Sequence, residues 1–398
     1  MKIRHVGALE LNSVDEEEAM DLELFDNSIG ATRRYVLTGG KIRVRGAATT
    51  IFPKKGFRMK LKTTSVGENK RPDTTMLLNL RQDDDWILYA GYNDQEKVRN
   101  VFATNLWKAS QAKHNEFGVD NGVEYKYVEL IMNDKYHGLY ALTYPVDEIQ
   151  LGLEMGMEGY REFIFKKADW GGIDTYELKT DMSEPKIAWA ELKEFYDTMQ
   201  TGQDAEKVRE MMDMANAIDM HLFLEMVLNT DIANIVPKGW VNDMVSAGNV
   251  GDTKNLYLTA KKQGKKYVWL YTPWDSDLTF GNICTTEEPN IEEGLCYMIP
   301  QNDYEVMSDA VWKLKMLGDE KIEDELSSRY KELRMGAWSD EKIREMVEEY
   351  EAKIYASGAF RRDQERWPEG SYNDAAEGLE KFQQYVLTRL HALDEKYL

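Results

Sequence analysis

Tyr267-Val268-Trp269-Leu270-Tyr271-Thr272-Pro273-Trp274-Asp275-Ser276-Asp277-Leu278-Thr279-Phe280-Gly281 reads as a strand that runs out into a loop. The loop carries two carboxylates at i and i+2. Strand ends that open into loops are where a rigid scaffold presents chemistry. Two Asp side chains there suit a hard cation, because Mg²⁺ takes one or two carboxylates and completes its shell with water and substrate phosphates. In a chain with 71 acidic residues such a pair also arises by chance, as an ordinary solvated turn. Its setting between Pro-Trp and Phe-Gly is what distinguishes it.

Working outward, Asn255-Leu256-Tyr257-Leu258-Thr259 and Tyr267–Tyr271 form a hairpin around the basic segment Lys261–Lys266. A polar loop over 232–253 precedes it, longer than a structureless connection usually is. Before the loop, Asn216–Asn229 is predicted as a helix capped by Asn216, with Asp219 three residues on. Its apolar set, Ile218, Leu222, Met226 and Val227, would face the core. Asn229-Thr230-Asp231 then places Asp231 at a helix C-terminus, where the macrodipole disfavours a buried carboxylate. An exposed Asp would suffer little there.

The flanks differ in kind. Residues 3–62 alternate as strands do, for example Phe57, Met59 and Leu61 against Arg58, Lys60 and Lys62. Asn133-Asp134-Lys135 joins a hairpin, Arg161–Lys167 and Tyr176–Lys179 read as strands, and Asn93–Ala112 as a helix. From Pro185 the pattern turns helical, with helices over 186–199 and 205–214. Everything after Tyr304 reads the same way: 305–317, 319–335, 339–357 and 374–398. The fold class is α+β. We expect a single unit with a β-rich part (1–180), a catalytic helix, loop and hairpin (181–300) and a helical pack (301–398).

Charge narrows the function. A net charge of −21 over 398 residues argues against nucleic-acid partners and against docking on anionic membranes. Against that background, residues 31–62 hold basic side chains at 33, 34, 41, 43, 45, 54, 55, 58, 60 and 62 and no acidic one. This is either a solubilised sheet face or a phosphate-binding field. No apolar run approaches a membrane span, and Met1–Gly7 lacks the hydrophobic core of a signal peptide. Cys284 and Cys296 are two ordinary thiols or a single bridge. The five histidines form no HxH or HExxH group, and no G-x-S-x-G, Walker or G-x-G-x-x-G motif is present. What remains suits phosphoryl transfer: cations for phosphate, carboxylate and amide ligands for Mg²⁺, and a carboxylate to orient the nucleophile. Glycoside hydrolysis could use the same carboxylates, but leaves the basic strands unexplained.

The ordered series Ile42–Gly46, Phe52–Leu61, Asp83–Leu88, Arg99-Asn100, Tyr127–Leu130 with Gly138–Tyr140, Asn229–Asp231, Asn255–Leu258, Pro273–Gly281, Arg366-Trp367 and Arg389-Leu390 resembles the CotH family, atypical kinases similar to spore coat protein H. The resemblance implies a divergent protein-kinase-like fold that binds ATP and Mg²⁺ and phosphorylates Ser or Thr of protein substrates, at a spore coat or cell surface. Lys60 matches the phosphate-contacting lysine, with Arg58 as the second candidate. Asp231 matches the catalytic-loop aspartate and Asp275 the principal metal ligand, with Asn255 and Asp277 as further ligands and Asn234 as an alternative to Asn255. Ala47-Ala48 stands where the family has Asn-Ser, and Tyr144 where it has Glu. These departures leave open a degenerate member that works by binding coat or surface partners.

Overall fold

Ile42, Val44, Phe57, Met59, Trp86 and Leu88 are all essentially inaccessible to solvent, and the strand register explains why. Val44 pairs with Phe57 and Phe57 with Leu88; Ile42 pairs with Met59 and Met59 with Trp86. Cross-strand partners share a face, so three strands point one apolar row inward. In this computed structural model the described residues are 1–5, 14, 16–27, 33–61, 63–66, 69–72, 74–157, 159–238, 252–282, 304–370 and 375–398. Cys284, Cys296, Lys62 and most of the 232–253 loop lie outside them.

The described chain divides into two units, each assembled from separated segments. The first comprises Met1–Val101, Val123–Pro145 and Val347–Leu379. Its strands close into a barrel in the order Lys2–His5, Lys126–Met132, Lys135–Thr143, Asp85–Tyr89, Gly56–Lys60, Arg33–Arg45, Glu17–Asp26. The parallel pairing of Lys2–His5 with Lys126–Met132 completes the ring and removes the open edges of a sheet. Strands and helices are both present, as the α+β class expects, but a closed barrel is not the lobe of an ordinary protein kinase and a kinase-like shape does not follow from it.

The helix Ala359–Arg366 packs on the Lys135–Thr143 strand of this unit. Asp363 accepts from the amide of Leu139 at 2.8 Å and pairs with Lys54, also at 2.8 Å, with both side chains fully buried. Lys54 further donates to the Leu139 carbonyl at 2.6 Å. Gly138 makes the approach possible: it has a φ of +133°, and a Cβ there would lie 2.4 Å from Asp363. The sequence carries no periodic stripe for this helix, because only Ala359, Phe360 and Asp363 of its residues are buried.

The second unit comprises Phe102–Gly122, Val146–Met346 and Glu380–Leu398. Its antiparallel sheet runs Tyr176–Leu178, Phe163–Lys167, Leu256–Gln263, Lys266–Pro273. The strands Phe163–Lys167 and Tyr176–Leu178, read as part of the front half, therefore pair with the site hairpin instead.

Behind that sheet lies the helix Met214–Val227, buried at every residue from Asn216 onward. A helix buried on every side belongs in a core, and this one carries Asp219, His221 and Glu225 inward with the apolar residues. Its N-cap is Asp213, whose Oδ1 accepts from the Asn216 amide at 3.1 Å, and not Asn216 as the sequence suggested. Asn216 has a different task. It accepts from the Tyr271 amide at 2.6 Å and donates to the Tyr271 carbonyl at 3.0 Å, fastening the helix to the hairpin.

The helix predicted from Glu305 begins later. Tyr304–Met307 pairs as a strand with Asn234–Pro237, and Ser308 then leads into the helix Asp309–Met316. Ser followed by Asp was a visible start signal.

Candidate functional site

The hairpin register ends at Leu256 opposite Pro273, so Asn255 and Asp275 emerge from neighbouring strand ends. Asn255 is held on both sides: its amide donates to the Lys167 carbonyl at 2.9 Å, and its carbonyl accepts from Trp274 at 3.1 Å. Both residues have left-handed backbones, with φ of +52° at Asn255 and +62° at Asp275. Asn and Asp tolerate this region better than other non-glycine residues, yet it still costs free energy and persists where the surroundings impose it. Such strain clusters at functional sites.

Asp231 lies beyond the end of the core helix, which closes with Leu228 in the left-handed region. The following turn is stitched to the incoming strand by a bridge between Ala233 and Thr253 and by a bond from the Lys254 amide to the Ile232 carbonyl at 2.9 Å. This stitching delivers Asp231 to Asn255. The Asn255 side-chain amide donates to Asp231 Oδ2 at 2.6 Å, and Lys254 Nζ lies 2.6 Å from Oδ1. Burial raises the proton affinity of Asp231, Lys254 and Asn255 oppose that, and the charge of Asp275 raises it further. Asp275 is thus an electrostatic neighbour of Asp231.

Asp277 is buried one turn on, where its carbonyl accepts from Asn282 at 2.8 Å. Phe280 anchors that loop, through a hydrogen bond from its backbone N–H to the Val227 carbonyl at 2.8 Å and edge contacts with Phe102 and Phe382. Asn234, the alternative to Asn255, pairs with Met307 in a strand.

Arg58 and Lys60 belong to the barrel unit and share one carboxylate. Arg58 Nε bonds Asp85 Oδ1 at 2.8 Å, and Lys60 Nζ lies 3.7 Å from Asp85 with about half its side chain exposed. Much of the expected positive field is matched in this way. Arg34 pairs with Glu23, Lys41 with Glu17 at 2.6 Å, and Lys54 turns inward to Asp363. Arg99 is buried between Asp94 at 2.8 Å and Glu96.

Three side chains in contact with Asp231 or with residues 252 and 253 carry no periodic signal in the sequence pattern. Lys254 is the first, and its position beside Asn255 was the only available signal. The second is Lys167, which reaches Gly171, Thr175 and Asp252. The third is Asp309, whose carboxylate accepts from the Thr253 hydroxyl at 2.9 Å. Their sequence separations left no spacing to find.

A family model described as CotH kinase protein matches residues 42–393. The chain belongs to the CotH family. No curated protein matches it. No described helix of this CotH-family chain is long and apolar enough to cross a membrane.

Among the described residues no group of three or more His, Cys, Asp or Glu side chains is placed to hold a metal ion. Asp231 and Asp275, whose charges repel, with the Asn255 amide beside Asp231, offer oxygen donors that suit a cation retaining substrate oxygens in its shell, which is the habit of Mg²⁺. The donor set fits that ion.

Proposed function

We propose that the chain is a protein kinase of the spore-coat or cell-surface type, in a divergent kinase-like fold, that transfers the γ-phosphoryl group of ATP to Ser or Thr of a protein. The observation that carries this reading is the meeting of Asp231, Asn255 and Asp275 at one hairpin mouth, two of them on left-handed backbones. Family membership supports it. Asp231, gripped through both carboxylate oxygens, would orient the acceptor hydroxyl and take its proton. Asp275 and Asn255, with Asp277 as a further ligand, would hold Mg²⁺, which when bound neutralises charge on the nucleotide phosphates. On the barrel unit the same reading assigns phosphate contact to Lys60. Arg58 comes second, since its guanidinium is already engaged by Asp85.

The test is transfer of labelled γ-phosphate to a generic acceptor protein with ATP and Mg²⁺. Incorporation into Ser or Thr that disappears in Asp231→Ala supports the reading. A second reading, a degenerate member that assembles coat or surface partners, draws on the exposed apolar side chains Ile149, Met155 and Met157. It requires no incorporation by the wild-type chain.

A further inference from the structure

Lys254 stands outside every residue set assigned above, yet it makes the closest cationic contact to Asp231. Its Nζ is 2.6 Å from Oδ1, with 18% of its side chain exposed. The opposite oxygen is taken by Asn255 at 2.6 Å. Adjacent residues just ahead of the Leu256–Gln263 strand therefore grip the two oxygens of one carboxylate, and rotation of that carboxylate would break both contacts. A carboxylate has about four lone-pair sites, so acceptor capacity remains after two donors are bound.

Lys254 is itself supported from below. Its ammonium lies over the Trp170 ring, 5.6 Å from the centroid, within cation–π range. The Trp170 loop is pinned in turn. The Gly171 amide donates to Asp252 at 2.6 Å, and Lys167 donates to the Gly171 carbonyl at 2.5 Å while pairing with Asp252 at 3.3 Å. Through its own amide Lys254 also ties the segment that leads into the hairpin to the Ile232 carbonyl in the Asp231 turn, at 2.9 Å. A solvated surface lysine would show none of this support.

We propose that Lys254 is a positioning residue for Asp231, seated on Trp170 and acting with Asn255 to hold the carboxylate in the orientation that an acceptor hydroxyl must meet. The inference rests on the phosphotransfer reading. A misoriented base costs rate without weakening nucleotide binding, because the loss falls in the reacting geometry.

The experiment compares wild type, Lys254→Met, Lys254→Arg and Trp170→Leu in the full chain. Steady-state phosphotransfer is measured with ATP, Mg²⁺ and a generic acceptor protein, and hydrogen exchange of residues 229–233 without nucleotide or cation. Expected for Lys254→Met is a kcat lower by about 10–100-fold, with KM for ATP within about threefold of wild type. Its amides in the Asp231 turn should exchange faster. Lys254→Arg should recover part of both losses, and Trp170→Leu should show a smaller change of the same sign.

An unchanged kcat in a folded Lys254→Met chain overturns the proposal and leaves the phosphotransfer reading standing. So does a raised KM for ATP at unchanged kcat, which would make Lys254 a nucleotide contact. Wild-type chain that transfers no phosphate overturns the phosphotransfer reading, and the proposal falls with it.

Discussion

Asn255 donates its side-chain amide to Asp231 at 2.6 Å from a backbone held at a φ of +52°. The contact and the strain occur at one residue, and glycine separates them. Asn255→Gly removes the donor and relaxes the backbone, so stability should stay within about 1 kcal/mol of wild type or rise. Phosphotransfer should nonetheless fall by about 10–100-fold. Thermal unfolding alongside turnover checks both halves. A loss of stability as large as the loss of rate would make Asn255 a structural residue.

Asp309 gives the second unit a pH dependence. Burial, above all, lifts its carboxyl to about 6 from an ordinary value of 3.8; Asp252 adds to the lift, while the Thr253 hydroxyl and Lys167 oppose it. Between those values the folded chain keeps a proton that the unfolded chain has released. The favourable contribution is therefore complete at low pH and lost as pH rises through about 6. Asp309→Asn should raise stability at pH 8 by about 1–3 kcal/mol and have little effect near pH 4. Denaturant unfolding at the two pH values checks this.

Glu225 tests how the C-terminal helix is fastened. Burial would push its carboxyl up, but neighbouring cations outweigh burial and hold it at about 2. His221 beside it is driven well below its ordinary value, chiefly by burial. The compensating charge is then that of Lys396 at 2.8 Å and Arg389 at 3.0 Å. Arg389→Met strips one cation from a fully buried carboxylate and should cost about 3–5 kcal/mol in unfolding free energy. Glu225→Gln in the same chain should recover part of the loss.

Buried pairing in the barrel unit invites a double-mutant cycle. Lys54→Met and Asp363→Leu should each destabilise by about 3–5 kcal/mol, because each removes one partner of a fully buried ion pair. The double variant should cost clearly less than their sum. Additive losses would mean that the pair at 2.8 Å contributes no coupling.

Legibility followed periodicity. The barrel strands were readable because Ile42, Val44, Phe57 and Met59 alternate with polar residues, and the hairpin because its apolar runs flank Gly264. Asp231, Asn255 and Asp275 were readable as carboxylates and an amide at element ends. Their convergence follows from the family resemblance and not from local pattern, since a bridge between Ala233 and Thr253 and a helix-to-hairpin clamp by Asn216 create it. The helix Ala359–Arg366, the strand Tyr304–Met307 and the Lys254 contact were missed for a related reason. Each is set by partners far along the chain, and local pattern carries no record of them.

Asp275 provides the most direct test of the central claim. Its left-handed backbone lets Asp275→Gly delete the carboxylate without adding strain, so the chain should stay folded. Transfer of labelled γ-phosphate from ATP in the presence of Mg²⁺ is measured for wild type and this variant. The expected result is incorporation into Ser or Thr by wild type and at least about 100-fold less by Asp275→Gly. Equal incorporation by a folded Asp275→Gly chain, or none by wild type, would contradict it.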